Sequence, residues 1–249
     1  MGSTPTAVRR RLPLARVLLL TLVVSLGALV QFSASASAGT LKGSIQITKG
    51  ATSGATPYAG SWVQLYETAN PTVFFTNPSS PAANQTYTPL VNGTQGLDLG
   101  LPVQGEASPG FDGGGNSLTS TILTPEPFAG VNFSAFVTQN TAKKAKFGKK
   151  GVVIKVAGGK GPTVAVTSAD LTGFTIAYGG SFYDTPGSTA NLGDGGNLTG
   201  SLTYTNPKDK AAGGTITLDW SVPITNPPGN AFDTFTANYQ LVGTFVPAA

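Results

Sequence analysis

From residue 39 onward, apolar and polar positions alternate with a period of two at many places, and helical periodicity is almost absent. The clearest stretch runs from Thr215 to Val222. Ile216, Leu218, Trp220 and Val222 fall on one face there, and Thr215, Thr217, Asp219 and Ser221 on the other. Leu198, Gly200, Leu202 and Tyr204 repeat the pattern, as do Phe235, Ala237, Tyr239, Leu241, Gly243 and Phe245. The alternation predicts strands over 41–48, 61–67, 72–76, 131–138, 151–157, 163–167, 171–178, 198–205, 214–222 and 234–246. Clusters of Gly, Pro, Asn, Asp and Ser separate them, drawn from 33 Gly and 18 Pro in the chain. The fold expected is all-β, an antiparallel β-sandwich or jelly-roll-like single domain over 39–249, with a flattened up-and-down β-barrel as the alternative. Residues 198–205 and 214–222 should form a hairpin across a loop at 206–213, with 234–246 pairing back. The stretch 77–126, rich in Pro, Gly and Asn, is expected as an elaborated loop region over one end of the sandwich.

Residues 1–38 have a different character. Arg9, Arg10, Arg11 and Arg16 precede an apolar run at 17–30, with no acid before Gly39, and the run is followed by alternating Ser and Ala from Ser33 to Ala38. This is the layout of a cleavable signal peptide, with small-x-small cleavage positions after Ala36 or Ala38. A run of that length rises about 21 Å as a helix, short of the roughly 30 Å of a hydrocarbon core. The expectation is therefore a secreted, extracellular protein without stable membrane insertion once the leader is removed.

The leader changes the charge picture. All four arginines lie in it, which leaves eleven lysines against eleven acids from Gly39 onward. A nucleic-acid partner is not expected, because arginine is the usual residue for bidentate contacts to phosphate or guanine. The chain also has no His and no Cys. His-dependent triads, His-ligated metals and thiol chemistry are thereby excluded, and no cofactor is implied. The lysines are unevenly placed. Lys143, Lys144, Lys146, Lys149, Lys150, Lys155 and Lys160 fall within 141–160, where no acid occurs. The flanks are net acidic, so the protein is neutral but polarised. Such a run is either a solvated hairpin tip that keeps an edge soluble or a docking site for an anionic cell-wall polymer, polysaccharide or lipid headgroup. The candidate binding residues are Lys143, Lys144, Lys146, Lys149 and Lys150.

Other chemistry is sparse. A carbohydrate hydrolase needs two carboxylates about 5–9.5 Å apart, and the candidates are Glu67, Glu106, Glu126 and Asp219. No spacing among them places a pair on one strand face. Asp112 with Asn116, and Asp194 with Asn197, offer oxygen ligands of the kind calcium accepts, but Asp-Gly and Gly-Asn steps are also ordinary tight-turn chemistry. Trp62 and Tyr66 share a face, opposite Val63 and Leu65, and form a small stacking platform for sugar if that face is exposed. Trp220 and Tyr204 stand in the apolar register and read as core.

Several short segments run in a characteristic order: 60–65 (Gly-Ser-Trp-Val-Gln-Leu), 77–81, 86–90, 93–96, 111–118, Asp219-Trp220 and 243–245. In this the chain resembles a group of secreted proteins of actinomycete-type bacteria that carry no assigned activity. The resemblance spans about 60–246 and implies export and one domain. It brings no catalytic residue, and Asn238-Tyr239 stands where that group is expected to carry an aromatic residue followed by His. The function expected from the sequence is a non-enzymatic exported β-domain that binds an anionic polymer through its lysine-rich segment. The alternative is a carbohydrate-active hydrolase using a Glu/Asp pair.

Overall fold

A computed structural model describes residues 39–50, 59–80, 84–105, 110–137, 151–171, 174–184, 189–191, 198–224 and 232–249. The chain divides into two compact units, Met1–Ser35 and Ala36–Ala249, and the first lies wholly outside the described residues. No helix among the described residues is long and apolar enough to cross a membrane.

The described part is all-β, with two sheets and no α-helix. Its centre is the pair β15 (Gly214–Pro223) and β16 (Phe235–Pro247), in register from Gly214 opposite Phe245 to Pro223 opposite Thr236. The alternation that predicted β15 is realised: Ile216, Leu218, Trp220 and Val222 are buried, and the polar residues between them face outward. β14 (Thr199–Tyr204) completes the expected hairpin, and the loop between β14 and β15 carries a single 3-10 turn at Lys210–Ala212.

β16 is long enough to use two partners on its other edge. β3 (Trp62–Glu67) pairs with its first half and β2 (Gly43–Ile47) with its second. At the changeover Gly243 lies so close to β2 that a Cβ there would sit 2.6 Å from both the Gln46 carbonyl oxygen and Ile45 Cγ2. β4 (Asn70–Phe74) and β5 (Thr88–Pro89) flank β3, and β6 (Leu97–Leu99) flanks β2. Beyond β14 come β10 (Thr163–Asp170), β9 (Val153–Val156), β1 (Gly39–Thr40) and, on the far half of β10, β13 (Thr189–Asn191). Together these make a twelve-stranded antiparallel sheet.

That sheet curls because β10 bends. Its register slips between Val166 and Ser168, and its buried positions pass from even numbers (Val164, Val166) to odd (Ala169), as one extra residue in a strand requires. The curl brings the far ends of the sheet together: Gly100, just after β6, donates its N–H to the Val152 carbonyl, just before β9 (2.8 Å).

The second sheet has the order β12 (Ser181–Asp184), β11 (Phe174–Tyr178), β8 (Val131–Val137) and β7 (Glu126–Phe128). It packs on the large sheet through Phe174, which meets Trp220 and Tyr239 edge-on at 6.4 and 6.5 Å; those two rings are stacked at 4.8 Å. Of the stretch 77–126, expected over one end of the sandwich, Thr88–Pro89 and Leu97–Leu99 join the large sheet, while residues 111–123 lie instead along the outer face of this one. There the Ser134 hydroxyl donates to the Leu123 carbonyl (2.7 Å), Asn132 accepts from the Ser117 N–H (2.9 Å), and Phe182 contacts both Phe111 and Phe136. The reason is in β8 itself, whose residues from Phe133 to Val137 are buried on both faces and require a cover on each.

Candidate functional site

Lys143, Lys144, Lys146, Lys149 and Lys150 lie outside the described residues. Both ends of their segment are described. It leaves β8 at Val137, which exchanges backbone hydrogen bonds with Gln104 (2.8 and 2.9 Å), and re-enters at Gly151 and Val152, where Val152 accepts from Gly100. Gly151 has a φ of 65°, and a Cβ on it would collide with the Leu101 carbonyl. Only glycine takes that φ without cost at so close an approach. The segment therefore begins and ends on one short loop, 100–104, at the place where the ends of the large sheet meet.

Gln104 holds that loop. Its side chain is 3 % exposed, donates to the Gly96 carbonyl (2.7 Å) and accepts from the Asp98 N–H (2.9 Å). Lys155 on β9 and Lys160 beyond it are exposed, and so are Leu101 and Val103 at the base of the segment. The lysine run was readable as composition. Its anchoring was not, because Gln104 stands in a stretch with no strand period.

Of the candidate carboxylates, Glu67 and Asp219 are not brought together. Glu106 lies outside the described residues. Asp219 on β15 is opposite Gln240 and Trp62 on the outer face of the sheet, whereas Glu67 falls with Val63 and Leu65 on the inner one. Gln240 stands five steps along β16 from Phe235, the partner of Glu67, which is about 17 Å along the strand. Glu126 belongs to the second sheet. Burial pushes the Asp219 carboxyl above the usual carboxylate range. Burial also raises Glu126, with the positive charge of Lys49 pulling the other way. Asp219 and Glu67 therefore do not make the spacing a hydrolase pair needs.

The turn chemistry at Asp112 is self-contained. Its Oδ1 accepts from the N–H groups of Gly114 (2.9 Å) and Asn116 (2.8 Å), and its Oδ2 from Asn116 Nδ2 (2.9 Å). The Asn116 side chain, then its backbone, hold the carboxyl below the usual range. Asp194 and Asn197 lie outside the described residues. Among the described residues no group of three or more acids could hold a metal ion.

The stacking platform is not formed either. Trp62 is 9 % exposed, with Tyr87 packed edge-on at 4.9 Å, and Gln64 beside it is buried. Tyr66 packs against Phe74 at 6.4 Å. Trp220 and Tyr204 are core residues, as their register predicts. No protein-family model, curated protein or solved structure matches the chain.

Proposed function

We propose that this is an exported, non-enzymatic protein that attaches to an anionic cell-envelope or extracellular polymer through its lysine-rich segment. One observation carries the reading: the described ends of the segment, at Val137 and Val152, are both bonded to the 100–104 loop, so the run is anchored at both ends on one place. Lys155 and Lys160 add exposed positive charge on the strand and turn that follow. The layout of residues 1–38 supports export, and the placement of Asp219 and Glu67 on opposite faces weighs against the hydrolase.

The test is retention of the protein on a polyglycerol-phosphate matrix as salt is raised. Because the Debye length falls from about 10 Å at 0.1 M to about 3 Å at 1 M, the bound protein should elute within that range. Changing Lys143, Lys144, Lys146, Lys149 and Lys150 together to Gln should weaken binding at least tenfold, with the melting temperature kept within about 2 °C, since solvated side chains hold little of a fold together. A variant retained as strongly as the parent would show that the run only keeps the surface soluble.

A further inference from the structure

The exposure of β11 is inverted. Thr175 and Ala177, on the face turned away from the large sheet, are 1 % and 0 % exposed beneath the covering stretch. Ile176 and Tyr178, on the face turned towards the large sheet, are only half-buried. Phe174 on that same inner face is buried against Trp220 and Tyr239. The interior is therefore closed at the Phe174 end and open at the Tyr178 end.

What opens there is a cleft of about 70 Å³. Val63 and Leu65 of β3 and Tyr239 of β16 form its buried floor, and Phe133, Ile176 and Tyr178 face them from the second sheet. Ile224, Phe232 and Tyr183, all half-buried, stand at its mouth. Phe232 meets Phe128, Tyr178 and Tyr183 at 5.8 to 6.0 Å, each at a steep angle, so that ring edges and faces alternate around the opening.

The chemistry of the wall selects its occupant. Among the described residues no charged side chain lines it, and the polar side-chain atoms they bring to it are the hydroxyls of Tyr178, Tyr183 and Tyr239. A water needs two to four polar partners to be well held, so solvent in this cleft is poorly served and easily displaced. An ion would lose its hydration with no counter-charge in return. A ring edge, by contrast, finds aromatic partners on several sides. Burial holds the hydroxyls of Tyr178 and Tyr183 above the usual phenol range, so they stay neutral donors at physiological pH.

We infer that this cleft is a binding site for the ring-bearing end of an uncharged apolar molecule, whose remainder stays at the mouth. The site shares no lining residue with the lysine-rich segment, and the inference does not depend on that segment.

Two dyes of one skeleton test this on the full chain in 0.5 M salt: neutral N-phenyl-1-naphthylamine and its sulfonate, 8-anilinonaphthalene-1-sulfonate. The neutral dye should saturate at one site with enhanced, blue-shifted emission, and the sulfonate should bind at least tenfold more weakly. Ile176→Trp, which fills the cleft, should weaken the neutral dye at least tenfold. If that variant does not melt cooperatively, Tyr183→Trp at the half-buried mouth should do the same with the core untouched. The apolar run at 17–30 is common to all these proteins and cancels in the comparison. Equal dye binding by a folded variant, equal affinity for the sulfonate, or no saturable neutral site would overturn the inference.

Discussion

Ser61 sits where β16 changes partners, between the end of its pairing with β2 and the start of its pairing with β3. On this edge the Thr48 N–H donates to the Val242 carbonyl (2.8 Å). The Ser61 hydroxyl joins it, accepting from the Val242 N–H and donating to the same carbonyl, both at 2.8 Å, and the residue is 0 % exposed. Ser61→Ala should leave the Val242 N–H buried without an acceptor, at a cost of about 1–3 kcal/mol. Urea denaturation should show a lowered midpoint with an unchanged slope. Asp219 gives a prediction of the opposite sign. Burial raises its carboxyl pKa in the fold, so the native state takes up this proton at higher pH than the unfolded chain does. Its contribution to stability therefore falls as pH rises through that interval, and at neutral pH the buried charge is unfavourable. Asp219→Asn should raise the melting temperature at pH 7. The gain should vanish at pH 3, where the carboxyl is protonated in the native state and largely so in the unfolded chain. Neither role is legible in the sequence: Ser61 opens the strand expected over 61–67 with nothing to mark its hydroxyl as a partner for β16, and the partial burial of Asp219 comes from neighbouring strands.

At the scale of elements, what the sequence discloses is set by one-sided burial. β14, β15 and β16 are legible because each buries every second residue, which writes a period of two into the chain. β5, β6 and β7, at two or three residues each, are too short to carry a period. β12 is a four-residue edge strand. β8 is buried on both faces, so its boundaries were legible but the layer covering its outer face was not. β10 shows a third kind of limit. The pattern predicts a strand over 163–167, and the strand runs to Asp170, because the extra residue at the bend reverses which positions are buried. Deleting Thr167 tests this. Without it the strand pairs regularly, Val164, Val166 and Ala169 share one face, and the bend is lost. Losing the curl that joins Gly100 to Val152 should cost roughly 1–3 kcal/mol. The variant should be degraded by a low dose of protease that leaves the parent intact.

At the scale of the whole molecule, the candidate sites share a cause. The described ends of the lysine-rich segment stand where the curled sheet meets itself, and the cleft stands where the two sheets part. Both depend on contacts between residues far apart in the chain, which is why composition showed the charge but not its base, and alternation showed the aromatic residues but not the space between them. The position of β16 has a further consequence. It is the last strand in chain order, yet it lies between β15 on one edge and β2 and β3 on the other. During synthesis β2 and β3 are finished early, and at about 5–20 residues per second the wait for their main partner, about 170 to 190 residues later, is roughly 8–40 seconds. Until then the large sheet has no middle, and the nascent chain cannot close its core. A polypeptide that stays unfolded until its last strand is made is one that a narrow translocation channel can still thread.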